Sequence, residues 1–541
     1  MKIRNLLFLV LLLLPVLSFA GVNLKNGNFY ITYTDIIVPG GGHDLMIQRT
    51  YNSKSTEVGW FGFGWGSDFE TFLVVSPDGS VTVHENGSGA LNRFIPEGKI
   101  DPTVAAQKIV DAYRKGTTLS ETAANKLIEQ LKNDEELRQA YARKFQVTTA
   151  LANGTVLFSN THGLQKLEKI ENGYRRTYND GKVEFFNAQG KMTKVEEKTG
   201  YAINFEYQGS SLKSIKDSNA SQLFFDWYPD GRVKNVWSSG EKKTLYKYDT
   251  QGNLTESTDI AGNLYKFEYD ANHNMTGILY ADKSKMTIKY DTQQFVSEVT
   301  NREGENTKYK YENNPKNPDM HYWTYVTSTG TDGKPVTNKY EYELKARPDG
   351  SQYTYRMYTE INGVNTETVY SDINNLPLKI ASGKSITTFE YDKKGLLKKK
   401  SSGGETIELD YHPEFNKITR VKDSKGWTNF DYDKRGFLSK ATNSEGKEVL
   451  LIYDRNGRIT KMVDSDKKDN KKNTLTFVYN ALGKPIEIAI EKVGKINVAY
   501  DNYGEIKKVE SAQGPQMALQ VTQAFQNLLA IVKPAGVNLG L

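Results

Sequence analysis

Tyr248, Tyr269, Tyr290 and Tyr311 stand 21 residues apart each time, and the first three are followed directly by Asp249, Asp270 and Asp291. So strict a spacing leaves few folds open, because each period must be one structural unit that buries its apolar face against its neighbours. Backwards, the pitch continues through Tyr228, Tyr207 and Phe186 in steps of 20, 21 and 21. Forwards, it lapses between Tyr311, Tyr342 and Tyr370 and returns at Tyr391, Tyr411, Tyr432 and Tyr453. After a longer unit it resumes at Tyr479 and Tyr500.

Around the best-formed markers the chain reads apolar-x-Tyr-Asp-x-x-Gly-x-apolar, as in Phe389, Tyr391, Asp392, Gly395 and Leu397. Before the marker, aromatic and charged residues alternate (Tyr265, Phe267, Tyr269 against Lys266 and Glu268), which describes a strand with one aromatic and one wet face. Asp opens a turn by accepting from nearby backbone N–H groups, and Gly three residues on supplies the left-handed position that closes it. A unit is therefore one hairpin. A single hairpin cannot bury its aromatic face, whereas a stack of them can. The recurring Tyr is read as core and the recurring Asp as turn chemistry, in preference to a ladder of sugar-stacking rings or a row of catalytic acids.

The predicted fold is all-β, an antiparallel spiral sheet of such units curling into a shell or barrel-like solenoid over residues 147–511. Residues 101–146 break the pattern. They are rich in Ala, Leu, Glu, Lys and Gln, and the spacing predicts two or three helices over about 101–145, with Gly116 at a helix end and Asn133 with Glu136 as a capping box. Residues 21–100 form an N-terminal β segment in this reading. Residues 512–541 form a C-terminal cap, because Met517, Val521, Phe525, Leu528 and Val532 recur at helical spacing. Residues 1–20 combine Lys2 and Arg4, an apolar run from Leu6 to Leu17, and Ser18-Phe19-Ala20, the pattern of a cleaved secretory leader.

Composition narrows the function classes. With 71 Lys+Arg against 65 Asp+Glu, charges of both signs interleaved and no basic block, nothing resembles a nucleic-acid footprint. The absence of Cys removes disulfides, thiol catalysis and Cys-based metal sites. His43, His84, His162, His273, His321 and His412 are scattered without the pairing of a helical zinc site. Asp464, Asp466 and Asp469 lack the Gly and terminal Glu of a calcium loop. No nucleophile elbow or phosphate loop occurs. No catalytic residue, metal or cofactor is assigned, and no span follows the leader.

The Tyr-Asp, Gly-three-later pattern at a pitch near 21 resembles the YD repeat of the RHS protein family, across roughly residues 150–510. The earlier segment resembles the one that precedes such repeats: Gly27-Asn28-Phe29, then Arg49-Thr50-Tyr51-Asn52-Ser53, then Phe61-Gly62-Phe63-Gly64-Trp65. The resemblance implies a hollow spiral shell that in toxin-bearing members encloses a C-terminal effector. The cleavage motif of those members is absent, and only about 30 residues follow the last repeat.

The expected protein is exported, whether periplasmic, secreted or held at the cell surface. It is expected to be non-enzymatic, with a structural, adhesive or glycan-binding role. The alternatives are a shell for a separately encoded toxin or other cargo, and a cell-wall glycosidase. The expected ligand-binding residues are Tyr322, Trp323 and Tyr325 in the 312–370 stretch, which was expected to be irregular and lies beside Pro315, Pro318 and His321. The partner is then a cell-wall or surface glycan, or a protein. N-terminal sequencing of exported protein should begin at Gly21; recovery of Met1 would contradict the leader.

Overall fold

The computed structural model describes residues 20–511 except 40–43, 88, 97–100, 160–164, 179, 199, 241, 330–332, 349, 469, 481–482, 492 and 501–505. The expected leader and C-terminal helix lie outside the described residues. The chain is all-β and antiparallel, with strands following one another in chain order. Twelve strands between Phe72 and Trp237 form one sheet and 24 strands between Leu245 and Ser511 form another. The two meet at a corner where Thr244 N donates to Val236 O (3.0 Å) and Val236 N donates to Thr244 Oγ1 (2.9 Å). The first sheet curls back on itself, since Leu73 N donates to Gly190 O at 3.0 Å. Gly190 is needed there, because a Cβ would lie 2.2 Å from the Leu73 carbonyl oxygen.

Outside the long hairpins of residues 306–361, most repeats are built the same way. At the marker aromatic the ladder slips by a residue, a β-bulge, as between Glu390 and Tyr391 or Asp431 and Tyr432. The following Asp then caps the turn: Asp433 Oδ1 accepts from Arg435 N and Phe437 N, both at 2.9 Å, and Gly436 takes φ 82°. The marker hydroxyl reaches back to the carbonyl that starts the returning strand of the previous hairpin. Tyr411 donates to Leu397 O (2.8 Å), Tyr432 to Ile418 O (2.6 Å) and Tyr453 to Leu438 O (2.8 Å). Burial pushes the Tyr411 and Tyr453 hydroxyls up to about 12, so they stay protonated donors. One marker differs from its sequence assignment. The bulge falls between Asp226 and Trp227, and Trp227 Nε1 makes the reach, to Leu212 O at 2.7 Å. Tyr228 occupies the turn position instead, because the preceding unit is a residue short.

The inner face of the units from Val233 to Thr300 is covered by residues 20–67. Here strands Ala20–Asn23, Asn28–Val38, Leu45–Asn52 and Trp65–Ser67 form a four-stranded sheet. Its main chain meets successive units at their bulges: Val233 N donates to Trp60 O (2.8 Å), Phe63 N to Gly252 O (3.1 Å) and Val296 N to Gly27 O (2.9 Å). Tyr51 Oη accepts from Met275 N (3.0 Å) and donates to His273 O (2.8 Å). Gly62 approaches so closely that a Cβ would sit 2.6 Å from Gly252 O. At the centre Arg49, fully buried, pairs with Asp35 at 2.6 Å, donates to Ser257 Oγ at 2.6 Å and lies 4.4 Å from the Trp65 ring. Tyr246 donates to the same Asp35 carboxylate at 2.8 Å.

Three helices interrupt the chain without interrupting the first sheet: α1 (Pro102–Arg114), α2 (Glu121–Asn133) and α3 (Glu135–Lys144). Strands Leu91–Pro96 and Val156–Ser159, on either side of them, pair directly. The helices bury Ala106, Ile109, Val110, Ala124 and Leu131 among themselves. The N-cap of α3 is Asp134, which accepts from Leu137 N at 2.9 Å, rather than the expected Asn133, which ends α2. Arg138 pairs with Asp78 of the first sheet at 3.5 Å and Glu135 pairs with Arg93 of that sheet at 3.3 Å, which ties the unit to it. Among the described residues no helix is long and apolar enough to cross a membrane.

Arg49→Ala leaves the Asp35 carboxylate buried without its cation and should cost about 3–5 kcal/mol. Hydrogen exchange should rise first over residues 245–300 while residues 427–453 stay protected; equal loss in both would contradict local coupling. Tyr432→Phe removes one hydrogen bond and no packing. It should cost about 1 kcal/mol, read as faster exchange at residues 418–422 and 427–432 alone.

Candidate functional site

The 312–370 stretch is regular sheet rather than the irregular segment expected. It contains long strands, His321–Thr329, Pro335–Ala346 and Gln352–Ile361, of 9, 12 and 10 residues. The pitch lapses because the hairpins lengthen. Side chains alternate across these strands, so the register decides which residues share a face. Glu312, Trp323, Glu341, Tyr358 and Glu367 lie directly opposite one another in turn, forming one row across five strands. Lys310, Tyr325, Lys339 and Glu360 form the row beside it on the same face, and His321, Glu343 and Arg356 the row on the other side.

This face holds a half-buried aromatic and charged platform. Trp323 Nε1 donates to Glu312 Oε2 at 2.9 Å, and the Lys339 ammonium lies 4.9 Å from the indole centre. Glu341 accepts from His321 Nε2 (2.8 Å) and Lys339 Nζ (2.7 Å), and Arg356 pairs with Glu343 at 3.0 Å. Burial works against the charge of Glu341, but the hydrogen bonds from Lys339 and His321 outweigh it and hold its pKa below the usual value. Lys310 and Trp323 likewise hold Glu312 low. The carboxylates therefore stay charged acceptors at neutral pH, with their orientation fixed by fixed donors.

The structure brings together only two of the three expected residues. Trp323 and Tyr325 share the platform. Tyr322 points to the opposite face, where its ring stacks on Tyr342 at 5.5 Å and neighbouring Thr324 donates to Leu24 O at 2.7 Å. That face is continuous with the one the N-terminal segment covers. The alternation of 321, 323 and 325 against 322 and 324 already carried this division. Tyr358 was missed because only strand register places it two strands from Trp323.

Other candidates for chemistry are sealed or neutralised. Glu70 is buried beneath the Trp60 amide it accepts from, and burial raises its pKa well above the carboxylate range. Glu85 and Glu184 both clasp the buried Arg176 guanidinium, Glu184 at 3.2 Å. A cleft of about 490 Å³ lies between α3 and the curled edge of the first sheet, lined by Leu73, Val75, Gln139, Arg143, Val147 and Tyr174 among others. Among the described residues no group of three or more His, Cys, Asp or Glu could hold a metal ion. Asp464 and Asp466 lie on the strand Ile459–Asp466, and Asp469 lies outside the described residues.

A family model described as RHS Repeat matches residues 248–285, and one described as a domain of unknown function, DUF6531, matches residues 20–94. The tRNA3(Ser)-specific nuclease WapA of Bacillus spizizenii is 23% identical over 275 residues, which cover 46% of this chain and 10% of that protein. The crystal structures of TcdB2-TccC3 and of TcdB2-TccC3 without hypervariable C-terminal region are each 11% identical, with TM-scores of 0.39. Those matches cover 89% and 90% of this chain and 30% of theirs. The chain thus spans about a tenth of the curated relative and under a third of the solved chains.

Proposed function

The chain belongs to the RHS/YD-repeat family, and from that premise we propose that it is an exported, non-enzymatic scaffold whose outer face binds a linear glycan. The row Glu312–Trp323–Glu341–Tyr358–Glu367 carries this reading. Neighbouring strands lie about 4.8 Å apart, so Trp323 and Tyr358, two strands apart, stand roughly 9.6 Å from each other. That separation is close to the advance of two sugar rings along an extended β-linked chain. Alternate rings can then stack on Trp323 and Tyr358 while the Glu341 carboxylate between them accepts from hydroxyls of the ring it faces. Tyr325 in the next row widens the platform. Because the row crosses the strands, the glycan runs across the ribbon rather than along it, and the longer strands of this region give it room on either side.

Insoluble and soluble β-linked polysaccharides, including cell-wall preparations, test this by pull-down and affinity electrophoresis. The Trp323→Ala, Tyr358→Ala double variant should melt like the parent and bind at least about tenfold more weakly, since each stacked ring contributes on the order of 1 kcal/mol. A Trp323→Ala, Tyr325→Ala variant should lose less. Equal binding by the folded double variant, or no glycan bound by the parent, overturns the assignment.

A second reading, a shell around separately encoded cargo, is favoured by one observation. The inner-face rings of Tyr309, Tyr311, Tyr322 and Tyr340 are only half-buried beyond the N-terminal segment. Native purification that returns a stoichiometric protein partner and no glycan would favour it.

A further inference from the structure

Where seven of the repeats carry Tyr-Asp, the unit at Tyr411 carries Tyr411-His412. In the Asp turns a carboxylate oxygen accepts two backbone N–H groups, as Asp392 Oδ1 does from Lys394 and Leu396 at 2.8 Å each. At this turn an imidazole nitrogen takes over: His412 Nδ1 accepts from Glu414 N and Phe415 N, both at 3.2 Å. Backbone amides only donate, so Nδ1 is the unprotonated nitrogen and the ring is neutral. A carboxylate goes on accepting well into acid. An imidazole stops when it gains its second proton, between about pH 8 and pH 5.

The turn also joins distant parts of the ribbon. Lys198, at the turn that follows the strand Met192–Glu196 of the first sheet, donates from Nζ to Glu414 O at 2.6 Å and lies 3.5 Å from the Glu414 carboxylate. Its ammonium sits 4.2 Å from the centre of the Phe415 ring, and Phe415, 4% exposed, stacks on His412 at 4.4 Å. Lys417 donates to Gly436 O at 2.8 Å and faces Asp180 and Glu197 of the first sheet, Lys198, and Asp433 of the next turn. Lys394 of the preceding turn donates to Asn416 Oδ1 at 3.0 Å. The Tyr432 ring meets the His412 ring edge-on at 6.4 Å, and the two acceptor bonds of Nδ1 are what a proton removes.

We propose that His412 is a proton-operated latch: neutral, it folds the 412–417 turn so that Glu414 O and Phe415 hold Lys198 of the first sheet, and protonated, it releases that junction. The sign follows from the bonds. The neutral ring is the form the folded turn selects, so closure is full at higher pH and lost as pH falls. The protein's other described Tyr-Asp turns, capped by carboxylates, stay folded over the same range, so acid opens one junction and leaves the ribbon intact.

Hydrogen–deuterium exchange of the full chain at about pH 7.5 and about pH 5.5 tests this after correction for intrinsic rates. Protection at residues 410–418 and 195–201 should fall about tenfold at the lower pH, the effect of two lost hydrogen bonds, while residues 431–437 stay unchanged. His412→Asp should keep both segments protected at both pH values. His412→Ala should leave both open at both. Lys198→Met should open residues 195–201 at either pH while residues 410–418 keep their pH dependence, which separates junction from turn. No pH effect in the parent, or a dependence that persists in His412→Asp, overturns the proposal.

Discussion

In nine of the units a bond from the marker hydroxyl to the carbonyl at the start of the previous hairpin's returning strand keeps consecutive hairpins in step. A β-bulge beside each of these markers breaks the ladder locally, and a broken ladder would leave that carbonyl unsatisfied in a half-buried place. Tyr207, Tyr248, Tyr290, Tyr391, Tyr411, Tyr432, Tyr453, Tyr479 and Tyr500 all supply the missing donor, and Trp227 does so with its indole N–H. The choice of Tyr over Phe follows from this: the ring fills the inner face and its one polar atom closes the gap that the turn creates. Leu, Val or Phe would pack as well and leave the carbonyl bare.

The N–H on the same returning strand poses the complementary problem, and the N-terminal segment answers it for the early units. Val233, Met275 and Val296 stand a whole number of repeats apart, and each donates to that segment. In this region two of the turns that directly follow a marker depart from Gly at the left-handed position, with His273 at φ 65° and Gln294 at φ 64°. Their side chains offset the strain. His273 stacks on Phe63 at 4.0 Å and bonds Asn253 at 2.7 Å, while Gln294 accepts from Asn274 and offers its carbonyl to Lys54 at 2.7 Å. At these two turns the consensus Gly gives way to side chains that themselves contact the covering segment or the neighbouring turn.

Much of the fold was legible because periodicity reports the unit directly. The marker Tyr, the Asp cap, the left-handed Gly and the helical break at residues 101–146 are local signals, each with a local cause. What failed to show was register. Trp227 against Tyr228 differs by one residue, and that one residue decides which side chain bridges to Leu212 and which enters the turn. The same limit split Tyr322 from Trp323 and hid Tyr358, since neighbours on a sheet face are set by strand lengths far apart in sequence. The longer hairpins of residues 306–370 removed the pitch without removing the sheet, and to a reader of the sequence a lost pitch resembles lost structure.

The inner face is not covered evenly, and this divides the ribbon into regions of different rigidity. One buried cluster joins the N-terminal segment to the strands as far as Val296, and a second runs from Leu409 to Ile490. Between them, over residues 306–391, few of the described residues are buried: Thr324, which donates to Leu24 O of the N-terminal segment, Leu344, whose N–H donates to Met320 O, Tyr342, Ser351 and Ser371. An array whose units are stabilised by their neighbours transmits order only as far as the burial is continuous. The central strands are therefore held by length of ladder more than by core: of the 12 residues of Pro335–Ala346, residues 335–343 pair on one side and residues 339–346 on the other. A long, flat, hydrogen-bonded span with little core beneath it can keep rings such as Trp323, Tyr325 and Tyr358 on its outer face without any being needed for packing. The same lack of core means that the two flanking clusters are joined through the ladder and through side contacts such as that of Lys198 with the 412–417 turn. Such contacts fix how far the later ribbon can swing from the first sheet, and a single altered turn there can change the opening between them without unfolding either cluster.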